Sequence, residues 1–456
     1  MPKTFYIEQL GCFKNQVDAE YMITALQDKG YSRAETAETA ELILVNSCTF
    51  IESAKKESIE AFFQLRQARK DAKIVMTGCM AERYGKDLLE MIPEADGIFG
   101  NRDPQKITDI ADQVLAGEKK TYFPPNMLKA PRRKNFLSLK NSVYVKISEG
   151  CSNACTFCAI PKFRGTLSSR SFDDVAGEIE GLIDSGVKEI NLIAQDLAAF
   201  GQDRGQADFL PLLERVLKKP GDYWLRMLYL YPDHFPEEVL RLAASEKRLL
   251  PYFDLPFQHA SGRLLKLMGR RGDDAQYLDL IDRIRDTVPD AVVRSTFIVG
   301  FPGERDSDFQ TLLDFQQKAK IDWMGVFTYS REEGTPAFRM QSEDAFELFR
   351  PQAEKRKQLL EEAQAELTAN SLDRWVGRDL EVLVEEPIQG SAMALGRSFL
   401  QAQEVDGLVV VHGEGLTPGQ VVQTRVTKRN GVDLEARVVS AQEPVLVDAF
   451  AAGQVR

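Results

Sequence analysis

The sequence predicts a multidomain α/β protein. An open parallel α/β sheet comes first, a partial (β/α)6 TIM-like barrel occupies the middle, and a small all-β barrel closes the chain. Three observations carry this reading. Apolar runs of strand length alternate with helical periodicity in two successive blocks, the pattern of parallel sheets. The last block loses the helical period and keeps only short alternating runs punctuated by glycine turns. At 456 residues the chain is also too long for one ordinary core.

Composition sets the outer bounds. With 43% hydrophobic and 28% charged residues the chain has globular proportions. Its net charge of −11 argues against a main task of gripping a nucleic-acid backbone and favours a small molecule or a basic protein partner. No stable nucleic-acid binding is expected. No signal core or uncharged membrane-length run is readable, so the expectation is a cytoplasmic protein without a membrane partner. All six cysteines (Cys12, Cys48, Cys79, Cys151, Cys155, Cys158) fall in the first third of the chain. Disulfides are disfavoured in the cytosol, and the clustering reads better as two three-thiolate sites.

The first domain, expected over 1–120, opens with a strand at 4–7 that leads into Gln9-Leu10-Gly11-Cys12. A helix at 15–26 follows, with Val17, Tyr21, Met22 and Leu26 on one face. The buried-strand run at 42–45 leads to Asn46-Ser47-Cys48, and after a helix at 53–69 the strand at 73–76 leads to Thr77-Gly78-Cys79. Strands joined by helices pair in parallel, so their carboxyl ends share one edge of the sheet, where open α/β sheets bind ligands. One such cysteine would read as a small buried hydrophobe. Three at the same position in successive units read as ligands of one cluster.

A linker is expected at 121–141. Pro124, Pro125, Lys129, Pro131, Arg132, Arg133 and Lys134 mark it as a solvated connector, with a basic lip over the site as the functional alternative. The βα pattern restarts in a second domain, expected over 142–372. Its strands are read at 143–147, 189–193, 225–230, 252–255, 292–299 and 323–327, with helices between them. Chemistry in such barrels sits at the carboxyl ends of the strands. The first strand is followed by Glu149-Gly150-Cys151-Ser152-Asn153-Ala154-Cys155-Thr156-Phe157-Cys158. A mononuclear zinc site takes four protein ligands, or three and a water. Three cysteines without a nearby histidine or fourth cysteine suit a 4Fe-4S cluster with one iron left open.

The other strand ends carry polar and aromatic groups suited to a nucleoside-bearing ligand. Gln195, Asp196, Arg294, Gly300 and Glu304 are the candidate ligand contacts. Bland readings stand beside them: a tight turn for Gly300 and Glu304, a carboxylate pair across the barrel for Arg294, and a surface pair for Arg270 and Arg271. His259 is read as a polar wall residue. A helix over 343–370, with Leu359, Leu360, Ala363 and Leu367 on one face, is expected to pack across the barrel and lead onward. The third domain, 373–442, has strand runs at 380–384, 408–411, 421–426 and 434–439, which suggest a five-strand barrel of oligonucleotide-binding style. Acidic residues outnumber basic ones there and aromatics are scarce, so a basic protein partner fits at least as well as RNA. A tail covers 443–456.

With these residues in hand, the chain resembles the radical S-adenosylmethionine methylthiotransferases over nearly its whole length. The matching order is a three-cysteine domain, a CxxxCxxC barrel and a TRAM domain. Gly150-Cys151 and Ile160-Pro161-x-x-Arg164-Gly165 narrow the match to methylthiotransferases. Leu10-Gly11-Cys12-x-Lys14-Asn15-x-Val17-Asp18, Val45-Asn46-x-Cys48-x-Phe50-Ile51, Leu192-Ile193-Ala194-Gln195-Asp196 and Leu228-Tyr229-Leu230-Tyr231-Pro232 look like the ribosomal-protein branch, RimO. The transfer-RNA branch, MiaB, reads Gly-Gln-Asn where this chain has Ala194-Gln195-Asp196. Phe13 replaces a usual proline, Ser152 a usual asparagine and Gln403 a usual proline; none removes a ligand.

The resemblance implies that Cys151, Cys155 and Cys158 hold the 4Fe-4S cluster that binds S-adenosylmethionine. It implies that Cys12, Cys48 and Cys79 hold an auxiliary 4Fe-4S cluster. It further implies insertion of sulfur and a methyl group at the β-carbon of an aspartate in the small-subunit ribosomal protein S twelve, giving 3-methylthioaspartate. That basic protein would be met free or on the small subunit. A reductase or flavodoxin-type electron donor and a sulfur donor are implied partners. Methylthiolation of a transfer-RNA adenosine is the alternative.

Overall fold

A computed structural model describes residues 3–127, 130, 132–139 and 141–439. Lys129 and Pro131 of the expected linker, the end of the third domain at 440–442 and the tail at 443–456 lie outside the described residues. The chain forms two compact units that divide after Leu367.

The first unit begins with a six-stranded sheet: Thr4–Gln9 (β1), Ser32–Arg33 (β2), Leu42–Ser47 (β3), Lys73–Thr77 (β4), Gly97–Phe99 (β5) and Lys120–Tyr122 (β6). The order is β2-β1-β3-β4-β5-β6, and every neighbouring pair is parallel. Strands β2, β5 and β6 were not anticipated, because two or three residues are too few to carry a period. β6 runs past residue 120 into the stretch read as linker. Phe5, Ile7, Leu42, Leu44 and Val75 pack on one face against Met22, Ile23 and Leu26, while Ile43, Val45, Ile74 and Met76 pack on the other against Phe62 and Leu88. Burial on both faces explains why 42–45 is a continuous apolar run. Register aligns Gln9 with Asn46 and Asn46 with Thr77.

The second sheet holds Ser142–Lys146 (β7), then, after the short pair Ser148–Glu149 (β8) and Ser168–Ser169 (β9), Glu189–Ile193 (β10), Trp224–Met227 (β11), Leu249–Asp254 (β12), Val292–Val299 (β13) and Trp323–Thr328 (β14). Six strands lie in the order β14-β13-β12-β11-β10-β7, so β7 and β14 are edges and the barrel stays open. The helices expected between the strands are present at Phe172–Asp184, Phe209–Lys218, Glu238–Ser245, Gly262–Leu267, Asp274–Thr287 and Asp306–Ala319. β8 and β9 pair antiparallel and clamp the base of the cysteine loop.

The two sheets meet across the helix Phe13–Asp28. The expected single apolar face understates its burial. Lys14, Asn15, Gln16, Asp18 and Glu20 are buried along with Val17, Tyr21 and Met22. Its polar side faces the barrel. The Phe13 ring stacks on Tyr144 of β7, with centroids 4.3 Å apart. The connector is not simply solvated. Arg133 is buried, and its guanidinium binds Glu20, Glu178 at 2.7 Å and the Tyr144 carbonyl at 2.7 Å. Arg132 and Lys134 remain exposed.

The long helix, Glu343–Asp373, keeps only part of the expected face inward: Leu360 is buried, whereas Leu359 is 41% exposed. Polar bonds fix it, with Gln316 Nε2 donating to the Leu360 carbonyl at 2.9 Å and Gln364 Nε2 to the Ile321 carbonyl at 2.8 Å.

The second unit contains a closed five-strand barrel: Asp379–Pro387 (β15), Met393–Arg397 (β16), Val409–His412 (β17), Val421–Asn430 (β18) and Asp433–Val438 (β19), in the order β15-β16-β17-β19-β18. β16 was missed because Gly396 dilutes its pattern; a Cβ there would sit 2.6 Å from the Leu383 carbonyl. Arg425 pairs with Asp379 at 2.7 Å, Lys428 with Glu435 at 3.0 Å and Arg429 with Asp373 at 2.7 Å.

Candidate functional site

Cys12, Cys48 and Cys79 follow the aligned row of Gln9, Asn46 and Thr77 at the carboxyl edge of the first sheet. Asn15, fully buried, ties these three strand ends together. Its amide donates to the Ser47 carbonyl at 2.9 Å and the Leu10 carbonyl at 3.2 Å, and its Oδ1 accepts from the Cys79 thiol at 3.1 Å. Gly11, at φ +82°, passes so close to Cys48 that a Cβ would lie 2.8 Å from the cysteine Cβ. Cys48 and Cys79 are buried while Cys12 is exposed, so the group opens to solvent on one side. Burial pushes the Cys79 thiol up to about 12 and raises Cys48. Burial thus disfavours bare thiolates at Cys48 and Cys79, and iron would supply the positive charge that thiolates need.

The second group sits in the loop between β8 and β9. Gly150, at φ +67°, admits no side chain, since a Cβ would lie 2.2 Å from the Thr166 carbonyl. The Cys151 N–H donates to the Gly165 carbonyl at 3.1 Å and closes the loop. The Asn153 N–H points at Cys151 Sγ from 3.4 Å. The Cys155 Sγ lies 3.3 Å from the Tyr231 hydroxyl, and burial pushes Cys158 up to about 12. Thr156 N–H bonds the Met268 carbonyl at 2.9 Å, anchoring the loop to the barrel. Among the described residues no three His, Cys, Asp or Glu side chains are gathered tightly enough for a single metal ion. All-thiolate triads suit an iron–sulfur cluster, which spreads its ligands over several irons.

Around the second group the strand ends form a polar wall. Asp196 accepts from Asn153 Nδ2 at 3.1 Å and lies 2.7 Å from His234 Nε2. That hydrogen bond raises the His234 pKa against the effect of burial. His234 stacks on Tyr231, and the Arg270 guanidinium covers the Tyr231 ring at 3.8 Å. Arg270 is therefore a buried wall residue and no part of a surface pair. Both polar atoms of the Gln195 amide are buried without a hydrogen-bond partner among the described residues, which suits a ligand that brings both donors and acceptors.

The remaining candidates have protein partners. Arg294 pairs with Asp254 of the neighbouring strand at 3.1 Å. Gly300 N–H donates to Glu304, whose carboxylate also pairs with Arg356 at 2.9 Å. A Cβ at Gly300 would lie 2.4 Å from that of Ala353, so 300–304 has the geometry of a strand-to-helix turn wedged against the long helix. His259 is fully buried; its Nδ1 accepts from Ser261 N–H at 3.0 Å and its Nε2 lies 3.4 Å from Glu304.

Residues quoted in the motifs without a role join the two cysteine groups. Arg164, at the end of the second loop, donates to Asn15 and pairs with Asp18 at 3.1 Å and Glu149 at 2.7 Å. Lys146 binds Asp18 and Glu149 as well. Burial alone would raise the Glu149 carboxyl, but Arg164 and Lys146 outweigh it and hold it down to about 2. Lys14 lies beside this network with its ammonium 3.8 Å above the Tyr229 ring. The available signal for the helix residues was a charged side, carrying Lys14, Asp18 and Glu20, opposite the apolar face, which only a second packing partner can bury.

Three family models match: Uncharacterized protein family UPF0004 over residues 4–100, the Radical SAM superfamily over 145–315 and the TRAM domain over 376–439. Among curated proteins, the ribosomal protein uS12 methylthiotransferase RimO of Treponema denticola is 41% identical, covering 94% of this chain and 99% of its own length. The RimO proteins of Carboxydothermus hydrogenoformans and Thermotoga maritima are 36% and 37% identical, covering 96% and 95% of this chain and 99% of each relative. Among solved structures, the radical S-adenosylmethionine methyltransferase TsrM from Kitasatospora setae, with cobalamin and a 4Fe-4S cluster bound, aligns with a TM-score of 0.56. It is 16% identical, over 74% of this chain and 77% of that one, a likeness of fold alone.

Proposed function

This chain belongs to the RimO family of radical S-adenosylmethionine methylthiotransferases, and from that premise we propose that it methylthiolates an aspartate of ribosomal protein uS12 at the β-carbon. The observation that carries the reading is the convergence of two three-cysteine groups on one seam, with Arg164 of one loop bonded to Asn15 in the hub of the other.

The β-carbon of an aspartate has no proton that a base could remove at neutral pH, so general acid–base residues do not suffice. Bound iron–sulfur clusters and S-adenosylmethionine supply the radical chemistry and the transferable sulfur and methyl groups. Cys151, Cys155 and Cys158 would hold the cluster that binds S-adenosylmethionine, and Cys12, Cys48 and Cys79 the auxiliary cluster. The chain's part is to hold these groups at fixed separation. Asn15, Asp18, Lys146, Glu149 and Arg164 do so through buried charge-assisted bonds, which are shorter and stronger than neutral ones. Tyr231, His234, Asp196 and Arg270 hold the wall beside Cys155, and Gln195 offers the unpaired amide. Electron and sulfur donors are separate partners in this reading. No helix among the described residues is long and apolar enough to cross a membrane, and a cytoplasmic place suits a ribosomal substrate.

Mass spectrometry of uS12 from a strain lacking this protein is the test. Loss of the methylthio group is expected; its retention would sink the reading. Nucleoside analysis of the same strain addresses the transfer-RNA alternative, which requires a missing modified adenosine.

A further inference from the structure

We propose that Lys14 receives the side-chain carboxylate of the substrate aspartate and so positions the β-carbon between the two cysteine groups. The proposal rests on the function proposed above. Lys14 is only 8% exposed, yet its ammonium makes no hydrogen bond or ion pair with any described residue. Its one polar contact is the face of the Tyr229 ring at 3.8 Å. A buried ammonium without a hydrogen-bonded anion is costly, and the nearby Cys12 thiolate and a ring face offset only part of that.

The neighbouring carboxylates are committed elsewhere. Glu149 is held by Arg164 and Lys146, and Asp254 by Arg294 at 3.1 Å and by the Tyr229 N–H at 3.2 Å. Tyr229 is itself unusual, a non-glycine residue at φ +69° at the end of β11. Its carbonyl accepts from Leu197 N–H at 3.0 Å, which helps hold that conformation. Backbone strain of this kind persists where surroundings enforce it, and here it puts the ring under the ammonium.

Position selects the ligand. Lys14 lies two residues from Cys12, the exposed thiol of the auxiliary group, and faces Tyr229 on the barrel. The carbon to be modified has to reach both groups, and the aspartate carboxylate is one bond away from it. A carboxylate gripped here leaves that carbon at the seam. An amide in place of the carboxylate would leave the ammonium uncompensated, so Lys14 would distinguish aspartate from asparagine.

The test uses the full-length, cluster-reconstituted protein and two labelled peptides, one spanning the target aspartate of uS12 and one with asparagine there. Binding is read by fluorescence anisotropy. The wild type should prefer the aspartate peptide about ten- to a hundredfold, the range of a hydrogen-bonded charge. Lys14→Gln and Lys14→Met should collapse the preference to about threefold or less, while Lys14→Arg keeps most of it. Lys14→Met retains the stem on Tyr229, so it carries the comparison if Lys14→Gln loses iron. An unchanged preference in both neutral variants overturns the proposal. So does a weakened dissociation constant for S-adenosylmethionine with the peptide preference intact, which would assign Lys14 to the methionyl carboxylate. If the wild type itself shows no preference, Lys14 is not the reader of the carboxylate. The proposed function falls with it only if uS12 also keeps its methylthio group in the deletion strain.

Discussion

Replacing Arg133 with alanine should destabilise the first unit far more than a linker substitution could. The guanidinium is fully buried and joins Glu20 of the helix Phe13–Asp28 to Glu178 of the helix Phe172–Asp184. Glu178 keeps a second partner, Arg170 at 2.7 Å, but Glu20 is only 1% exposed and loses its cation. Removing one member of a buried pair costs about 3–5 kcal/mol. The unit spans 367 residues, and at about 2.1 cal/mol/K of unfolding entropy per residue that loss lowers Tm by about 4–6 °C. Differential scanning calorimetry of the reduced protein under nitrogen measures it directly. A double variant, Arg133→Met with Glu20→Gln, should fall short of the summed single effects by about 1–3 kcal/mol. An Arg133→Ala protein within about 1 °C of wild type, or strictly additive effects, would refute the reasoning.

Other substitutions probe the site and the seam. Gly150→Ala forces a Cβ onto the Thr166 carbonyl and should lower bound iron by about half, because one of two clusters is lost; full iron content would count against the loop geometry. Replacing Cys151, Cys155 and Cys158 together should likewise leave about half the iron and abolish deoxyadenosine formation from S-adenosylmethionine, whereas loss of all iron would mean the two groups are not independent. Phe13→Ala removes the ring stacked on Tyr144 and should cost about 3–5 kcal/mol by urea denaturation. The His234 pKa is raised by its hydrogen bond to Asp196, so its stabilisation is fully present below the unfolded value and is lost as pH rises through the folded one. The stability gap between wild type and His234→Gln should therefore shrink as pH rises above the ordinary histidine value of 6.5; a gap that widens contradicts the assignment.

Where one environment acts on a segment, the sequence spoke clearly. The run at 42–45 is apolar because both faces of β3 are covered, and the cysteine after each of three strands could be placed on one edge from chain order alone. The charged seam was not legible. Asp18, Glu20, Lys146 and Arg133 look like solvated charges until their partners, more than a hundred residues away in several cases, are known. Arg133 sat in a proline-bearing stretch that reads as a connector. Arg270 passed for half of a surface pair because nothing local announces that Tyr231 lies beneath it. On the long helix, Leu359 and Leu360 offered adjacent apolar choices, and the polar bonds of Gln316 and Gln364 decided which one faces inward.

The aligned row of Gln9, Asn46 and Thr77 has a consequence for where this chain can change length. Each cysteine of the first group lies a fixed two or three residues beyond that row. Gly78 bridges back to Ser47, and a Cβ on it would lie 2.5 Å from the Ser47 carbonyl. A residue inserted between Thr77 and Cys79 has nowhere to bulge and would move one thiol out of the group. The same insertion at the exposed turn around Gly117, where a Cβ meets nothing within 4 Å, leaves the row untouched. Length variation among related chains should therefore be absorbed at the amino-terminal edge of this sheet and be excluded from the three cysteine-bearing tips.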